Sequence, residues 1–166
     1  VYPYTVIPLT VGQPRSIKLV DEAMTGTRVI GLMTSKDAEI EAPTPDQIYH
    51  VGTLASIQRL FRAPDGTIRM LVQGLQRIEA TEFTSSDPYL RAKIKSVPET
   101  VEKSIEVEAL VRNVTEQFRR LAELVPSIPG DLIQSMLNVD EPLQLLYTIA
   151  TYVRIDIEDA QNLLEM

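Results

Sequence analysis

The chain has 166 residues, 44% hydrophobic and 23% charged, with a formal net charge of -7, one histidine, and neither cysteine nor tryptophan. Its length fits one domain or two small lobes, and no apolar run approaches the roughly 20 residues that a membrane helix needs. Without cysteine there are no disulfides, thiolate metal sites or cysteine nucleophiles, and His50 alone leaves almost no scope for imidazole acid–base or metal chemistry.

The charge is unevenly placed. Residues 1–98 carry 11 Lys/Arg against 10 Asp/Glu, whereas residues 99–166 carry 5 against 13. A shift from +1 to -8 marks a boundary near Val97–Pro98 and predicts two lobes, 1–98 and 99–166.

"VYPYTVIPLTV" (residues 1–11) is β-branched and aromatic but broken by Pro3 and Pro8, so it reads as an edge or bulged extended segment. "RSIKLVDEAM" places Ile17, Val20, Ala23 and Met24 on one helical face, and Gly26 lies where a left-handed cap residue fits. "RVIGLM" reads as a short, mostly apolar strand that fits a buried position, and "TSKDAEIEAPTPDQI" as a loop punctuated by Pro43 and Pro45. A long strand over residues 49–62 follows, with Gly52 marking a bulge or a close backbone approach. Pro64, Asp65 and Gly66 form its turn, because Pro presets φ, Asp bonds locally and Gly accepts positive φ.

The return strand alternates, with Ile68, Met70 and Val72 facing in and Arg69 and Gln73 facing out, until Gly74 introduces a kink. Leu90, Ala92 and Ile94 alternate with Arg91, Lys93 and Lys95 in a further half-buried strand. Several strands and one helix within about a hundred residues predict a small curled sheet or barrel.

After Pro98 the period becomes helical. Val107, Leu110, Val111, Val114, Phe118, Leu121 and Val125 form one stripe, with Glu99 and Glu102 at its start and Arg119 and Arg120 toward its end, as the helix dipole favours. "SIPGDLIQSMLNV" and "DEPLQLLYTIATYV" read as shorter helices, the second with Asp140 as N-cap and Pro142 in its first turn. "DIEDAQNLLEM" is a last helix that ends with the chain and has no cap residue. The predicted class is α+β, a curled sheet or barrel lobe followed by a helical lobe.

Motifs for chemistry are weak. No glycine precedes a lysine, as a phosphate-binding loop requires. Ser35–Lys36 are adjacent on a loop and do not face one another as a nucleophile pair would. Asp37, Glu39 and Glu41 could take a cation, but a solvated loop edge accounts for them. Arg91, Lys93 and Lys95, extended by Arg59, Arg62, Arg69 and Arg77, could track a phosphate backbone. Aromatic residues for base stacking make up only 5% of an acidic chain. More informative are apolar side chains beside proline-broken segments and turns. Tyr2, Tyr4, Ile7, Tyr49, Leu60 and Phe61 are the candidates for an exposed apolar surface, which on a soluble domain marks a partner site; filling the core is the competing role.

The segments "VIPLTVGQPRSIKLVDEAM", "KDAEIEAPTPDQIYHVGTLASI", "APDGTIRMLVQGLQRI" and "ALVRNVTEQFRRLAELVPSIPGDLIQSMLNVDEPLQLLYTIA" together resemble the amino-terminal, substrate-binding domain of the Lon family of ATP-dependent proteases. The resemblance covers nearly the whole chain in order. It implies a PUA-like β-barrel with a helical lobe, recognising unfolded or degron-bearing proteins for a homohexameric protease of protein quality control. That protease is cytoplasmic in bacteria, with an organellar matrix as the other location. The resemblance also implies no catalytic, metal or cofactor residues here; ATP and magnesium belong to an ATPase module outside this sequence. An apolar strand of the form "LPLR" that normally precedes the first segment is missing, and the long helix that leads to the ATPase is not reached. Two other readings stay open: a stand-alone adaptor built on the same domain, and a PUA-type RNA-binding module.

Overall fold

The computed structural model describes residues 1–125, 131, 133–134, 141–153 and 155–166. Five strands form one antiparallel sheet: β1 (Val6–Val11), β2 (Val29–Leu32), β3 (Val51–Arg62), β4 (Ile68–Ser85) and β5 (Arg91–Ser96). Four α-helices occur among the described residues: α1 (Pro14–Thr25), α2 (Ile105–Leu124), α3 (Pro142–Tyr152) and α4 (Ile157–Glu165). The class is α+β. The chain divides into two compact units, Val1–Pro98 with Asp156–Met166, and Glu99–Ile155.

The first unit is organised by β4. Its first half pairs with β1, its second half with β5, and most of its length with β3, which in turn pairs with β2. The turn into β4 follows its sequence. Gly66 takes φ +85°, and the Asp65 carboxylate accepts from the Thr67 amide at 2.9 Å and the Thr67 hydroxyl at 2.7 Å. Beyond the turn, Ile68, Met70 and Val72 are buried while Arg69 is exposed. They join Val20, Ile30, Ala55 and Ile57 in the core, against which Ile17, Ala23 and Met24 of α1 pack.

Gly74 is fixed by a close approach. A Cβ there would lie 2.1 Å from the Tyr2 carbonyl oxygen, because residues 2–5 run directly over it. Tyr4 N donates to Gly74 O at 3.0 Å, and Gly74 N to Thr5 O at 2.9 Å. The register of β4 on β3 then slips by one residue at Leu75. This bulge is the expected kink, and it re-aims the side chains that follow. Gly52 is a second close approach, since a Cβ there would lie 2.3 Å from Leu32 O and Met33 Sδ.

Several expectations are corrected. Gly26 is not left-handed (φ -112°); the positive φ falls on Arg28 at 60°, whose amide donates to Ala23 O at 3.0 Å and closes the helix end. Ile94 is exposed rather than half-buried, because β5 is an edge strand held only by β4. Arg77, placed in the basic stripe, is buried after the Leu75 bulge; its Nε donates to Val97 O and a terminal nitrogen to Leu164 O at 2.9 Å. Leu164 is in the last turn of α4, where orphan carbonyls and the dipole favour a cation. Gln161 of the same helix is buried and donates to Val51 O at 2.9 Å. Helix α4 therefore belongs with the sheet, not with the helical lobe proposed for 99–166.

In the second unit, α2 begins at Ile105. Ser104 is its N-cap and accepts from the Val107 amide at 3.2 Å, so Glu106 and Glu108, rather than Glu99 and Glu102, occupy the first turn. The expected stripe splits along its length. Phe118 is buried with Leu145 of α3, and Val111, Ile149 and Val153 pack against the pair, while Leu110, Val114 and Leu121 are exposed. The covered side is rotated by roughly 70° from the exposed one, at about 100° per residue. Tyr147 is buried and its hydroxyl donates to the Glu99 carboxylate. Pro142 opens α3 as expected; the cap at Asp140 and most of the "SIPGDLIQSMLNV" helix lie outside the described residues.

Two predictions follow from this core. Ile68→Ala empties a fully buried site and should cost about 2–5 kcal/mol, whereas Arg69→Ala should stay within about 0.5 kcal/mol. Equal shifts in denaturant midpoint for the two variants would place the register wrongly. Gly74→Ala should cost about 1–3 kcal/mol by overpacking, since the methyl meets backbone of residues 2–3; an unchanged midpoint would show that this segment does not cross β4 there.

Candidate functional site

Strand register sorts the apolar side chains of the sheet unit by face. Val6, Pro8 and Thr10 of β1 stand opposite Gln73, Leu71 and Arg69 of β4, and Arg69 stands opposite Phe61 of β3. Residues directly opposite share a face, so these side chains form the face turned away from the core. Val6 is 52% and Phe61 61% exposed, Leu71 is partly covered, and Leu75 is thrown outward at the bulge.

Of the six candidate contact residues, two stand free. Phe61 is one, and Tyr4 is the other at 47% exposure. Tyr4 is anchored at Gly74, five residues along β4 from the position opposite Phe61, so roughly 17 Å separates them at the rise of a strand. Val6, Pro8 and Leu71 lie between. Tyr2 is a correction: it is 8% exposed, and its hydroxyl donates to Ala160 O at 3.1 Å. Ile7 and Leu60 are also corrected, because their partners Val72 and Met70 face the core and both pack against it. Tyr49 is half-buried with the Lys36 ammonium 5.9 Å from its ring centre. Val6 and Leu75 were missed in the sequence. Val6 through Leu9 are all apolar, so parity cannot be read there until β4 supplies a partner.

A second feature of this unit was not legible at all. A groove of about 870 Å³ opens between α1, β2, the loop of residues 33–48 and the β4–β5 hairpin. Leu19, Val29, Ile40, Phe83, Leu90 and Ile94 give it apolar walls. Its charged lining residues are Arg15, Glu22 and Arg91. Glu22 accepts from both the Tyr89 hydroxyl and the Arg91 guanidinium. Those bonds, Tyr89 first, hold the Glu22 carboxyl below its ordinary range, and the Glu22 bond raises the Tyr89 phenol in return. Arg15 donates only to the Pro43 carbonyl, at 3.4 Å, and has no carboxylate partner among the described residues.

Side chains with chemical potential are engaged locally. Ser35 Oγ donates to Asp37 O at 2.6 Å while Lys36 Nζ donates to Asp46 O at 2.9 Å, so the two are turned to different acceptors. The Asp37 carboxylate accepts from the Glu39 amide within its own loop. His50 Nε2 meets Pro45 O at 3.0 Å, with its ring tilted against Phe83. The basic stripe is largely spent on ion pairs: Arg62–Asp21, Arg91–Glu22, Lys93–Glu82 and Lys95–Glu79. No helix among the described residues is long and apolar enough to cross a membrane.

Comparison with known proteins places this geometry. A family model described as "ATP-dependent protease La (LON) substrate-binding domain" matches residues 1–166. The Lon protease of Dictyoglomus thermophilum is 42% identical over 165 residues, covering 99% of this chain and 21% of that protein. The Lon protease of Desulforamulus reducens is 41% identical over 165 residues, covering 99% and 20%. The chain thus spans about a fifth of the length of the curated relatives it matches. Among solved structures, the N-terminal domain of Mycobacterium avium complex Lon protease superposes with a TM-score of 0.77 at 20% identity, covering 100% of this chain and 84% of that one. A Lon N-terminal domain protein from Xanthomonas campestris gives 0.56 at 19% identity, covering 93% of each. By its match from first residue to last, this chain belongs to the Lon substrate-binding domain family.

Proposed function

We propose that this chain is the non-catalytic, substrate-recognising part of a Lon-type ATP-dependent serine protease, and that it binds unfolded or degron-bearing polypeptides through apolar side chains of its sheet unit. The observation that carries this reading is that Val6 and Phe61 on the outward face, and Tyr4 and Leu75 at its Gly74 end, stand exposed. On this reading ATP and magnesium act in a separate ATPase module of a homohexamer, and the chain itself takes no cofactor. The compartment proposed for the parent is the bacterial cytoplasm. The RNA-binding alternative loses support from the pairing of Arg62, Arg91, Lys93 and Lys95, since a phosphate backbone would have to compete with four carboxylates.

Binding at each exposed side chain is weak, because a flexible partner must be ordered as it docks. Six copies in a hexamer compensate through avidity. The attraction is apolar, so affinity for an unfolded model protein should change less than about threefold between low and high salt, beyond the screening length of exposed charges. Tyr4→Ser and Phe61→Ser each remove a partly exposed ring worth about 1 kcal/mol on burial, so each should weaken binding roughly fivefold. Fluorescence anisotropy with a reduced, alkylated model protein measures both quantities. Affinity that collapses with salt while both variants bind normally would remove the apolar face from consideration and favour RNA.

A further inference from the structure

Three strands, β1, β2 and β5, pair with one neighbour only, and their outer edges are guarded unequally. Edge strand β1 carries Pro8, which has no amide to offer. Edge strand β5 carries Arg91, Lys93 and Lys95 and breaks register with β4 twice. Charge, proline and bulges are among the devices by which proteins keep a strand edge from pairing. Edge strand β2, "VIGL", has none of these three and is limited instead by its length of 4 residues.

The polar groups of β2 can be assigned. Ile57 N donates to Arg28 O at 2.8 Å, so Arg28 and Ile57 form a hydrogen-bonded pair. With the register Val29↔Ser56, Ile30↔Ala55, Gly31↔Leu54, Leu32↔Thr53, alternation makes Ile30 and Leu32 the next pairs bonded to β3. The N–H and C=O of Val29 and Gly31 therefore point away from the sheet. They meet no other backbone or side-chain partner among the described residues, Gly31 is solvent-exposed, and both residues line the groove. With Glu22 and Arg91 neutralising one another, Arg15 leaves the groove with one uncompensated positive charge.

We infer that the groove is a strand-addition site: an extended segment of an unfolded polypeptide pairs its backbone with Val29 and Gly31, places alternate apolar side chains against Leu19, Phe83 and Ile94, and sets a neighbouring carboxylate at Arg15. This deepens the proposed function and rests on it, since it names where and how an unfolded chain is held. Main-chain pairing gives affinity without demanding a sequence, while the groove walls select apolar residues at every second position. A chain that is folded cannot present such a segment, so the site discriminates by conformation.

The test uses the 166-residue chain and the peptide acetyl-Asp-Val-Thr-Val-Thr-Val-amide. Two further peptides carry N-methyl groups on the three valine nitrogens or on the two threonine nitrogens. One alternate set of amides faces β2 and the other faces away, so one N-methylated peptide should bind at least tenfold more weakly and the other close to the parent. Saturating parent peptide should slow hydrogen exchange at the Val29 and Gly31 amides at least tenfold. Arg15→Glu should weaken the parent while sparing its Asp→Lys counterpart. Equal binding, or equal loss, by the two N-methylated peptides overturns strand addition, and so does unchanged exchange at both amides. If the unfolded model protein still binds in those cases, the apolar reading stands without this site; if neither it nor the parent peptide binds, the functional reading itself fails.

Discussion

Residues 68–85 form a single strand that must satisfy β1, β3 and β5 at once, and this constraint organises the sheet unit. An 18-residue strand cannot remain flat across that span, because strands twist and each neighbour pulls the ladder its own way. The slip at Leu75 relieves the conflict, and Gly74 beside it lets residues 2–5 cross where any Cβ would strike the Tyr2 carbonyl. From that crossing follow the burial of Tyr2, the exposure of Tyr4 and the inward aim of Arg77. The curl that carries β2 and β5 to the walls of one groove belongs to the same bent strand.

Arg77 shows how a charge can be structural. A buried guanidinium is costly unless its donors are met, and here carbonyls from Val97 and from the last turn of α4 receive them. Breaking either partnership would leave donors stranded, so the arrangement ties the chain's final helix to the sheet more specifically than apolar packing would. Gln161 adds a second tie to Val51. Removing such groups would exact more than the net worth of their hydrogen bonds, because the desolvation has already been met.

How much of this was legible depended on whether the deciding forces were local. The Pro64–Asp65–Gly66 turn and the Ile68, Met70, Val72 face were readable because turn chemistry and alternation lie within a few residues. Val6–Leu9 were unreadable in parity because four consecutive apolar residues carry no alternation, and only the register with β4 decides which face each takes. Arg77 was misplaced because the bulge reverses the parity that an unbroken strand would keep, and Tyr2 because its proline-broken segment crosses β4 at Gly74 and is covered there. Helix α4 was assigned by its period to the helical lobe, whereas its hydrogen bonds to Arg77 and Val51 join residues 87 and 110 positions apart. No local signal reports a groove whose walls come from α1, β2, a loop and a hairpin.

The two apolar features of the sheet unit differ in what they ask of a partner. On the proposed reading, the outward face around Phe61 and Tyr4 offers mainly side chains, since β4 at its centre is paired on both sides, and it would hold any exposed hydrophobe, folded or not. The β2 edge offers backbone as well, and only a segment with its own amides unpaired can use it. On that reading, a molecule that met the face and then the edge would be tested first for exposed apolar surface and then for the absence of structure. Sinking the unguarded edge in a groove also answers the hazard it poses: a second copy of this domain brings β1 with its proline, β5 with its lysines, or its own recessed β2, and none of these reaches the Val29 and Gly31 amides as readily as a loose chain does.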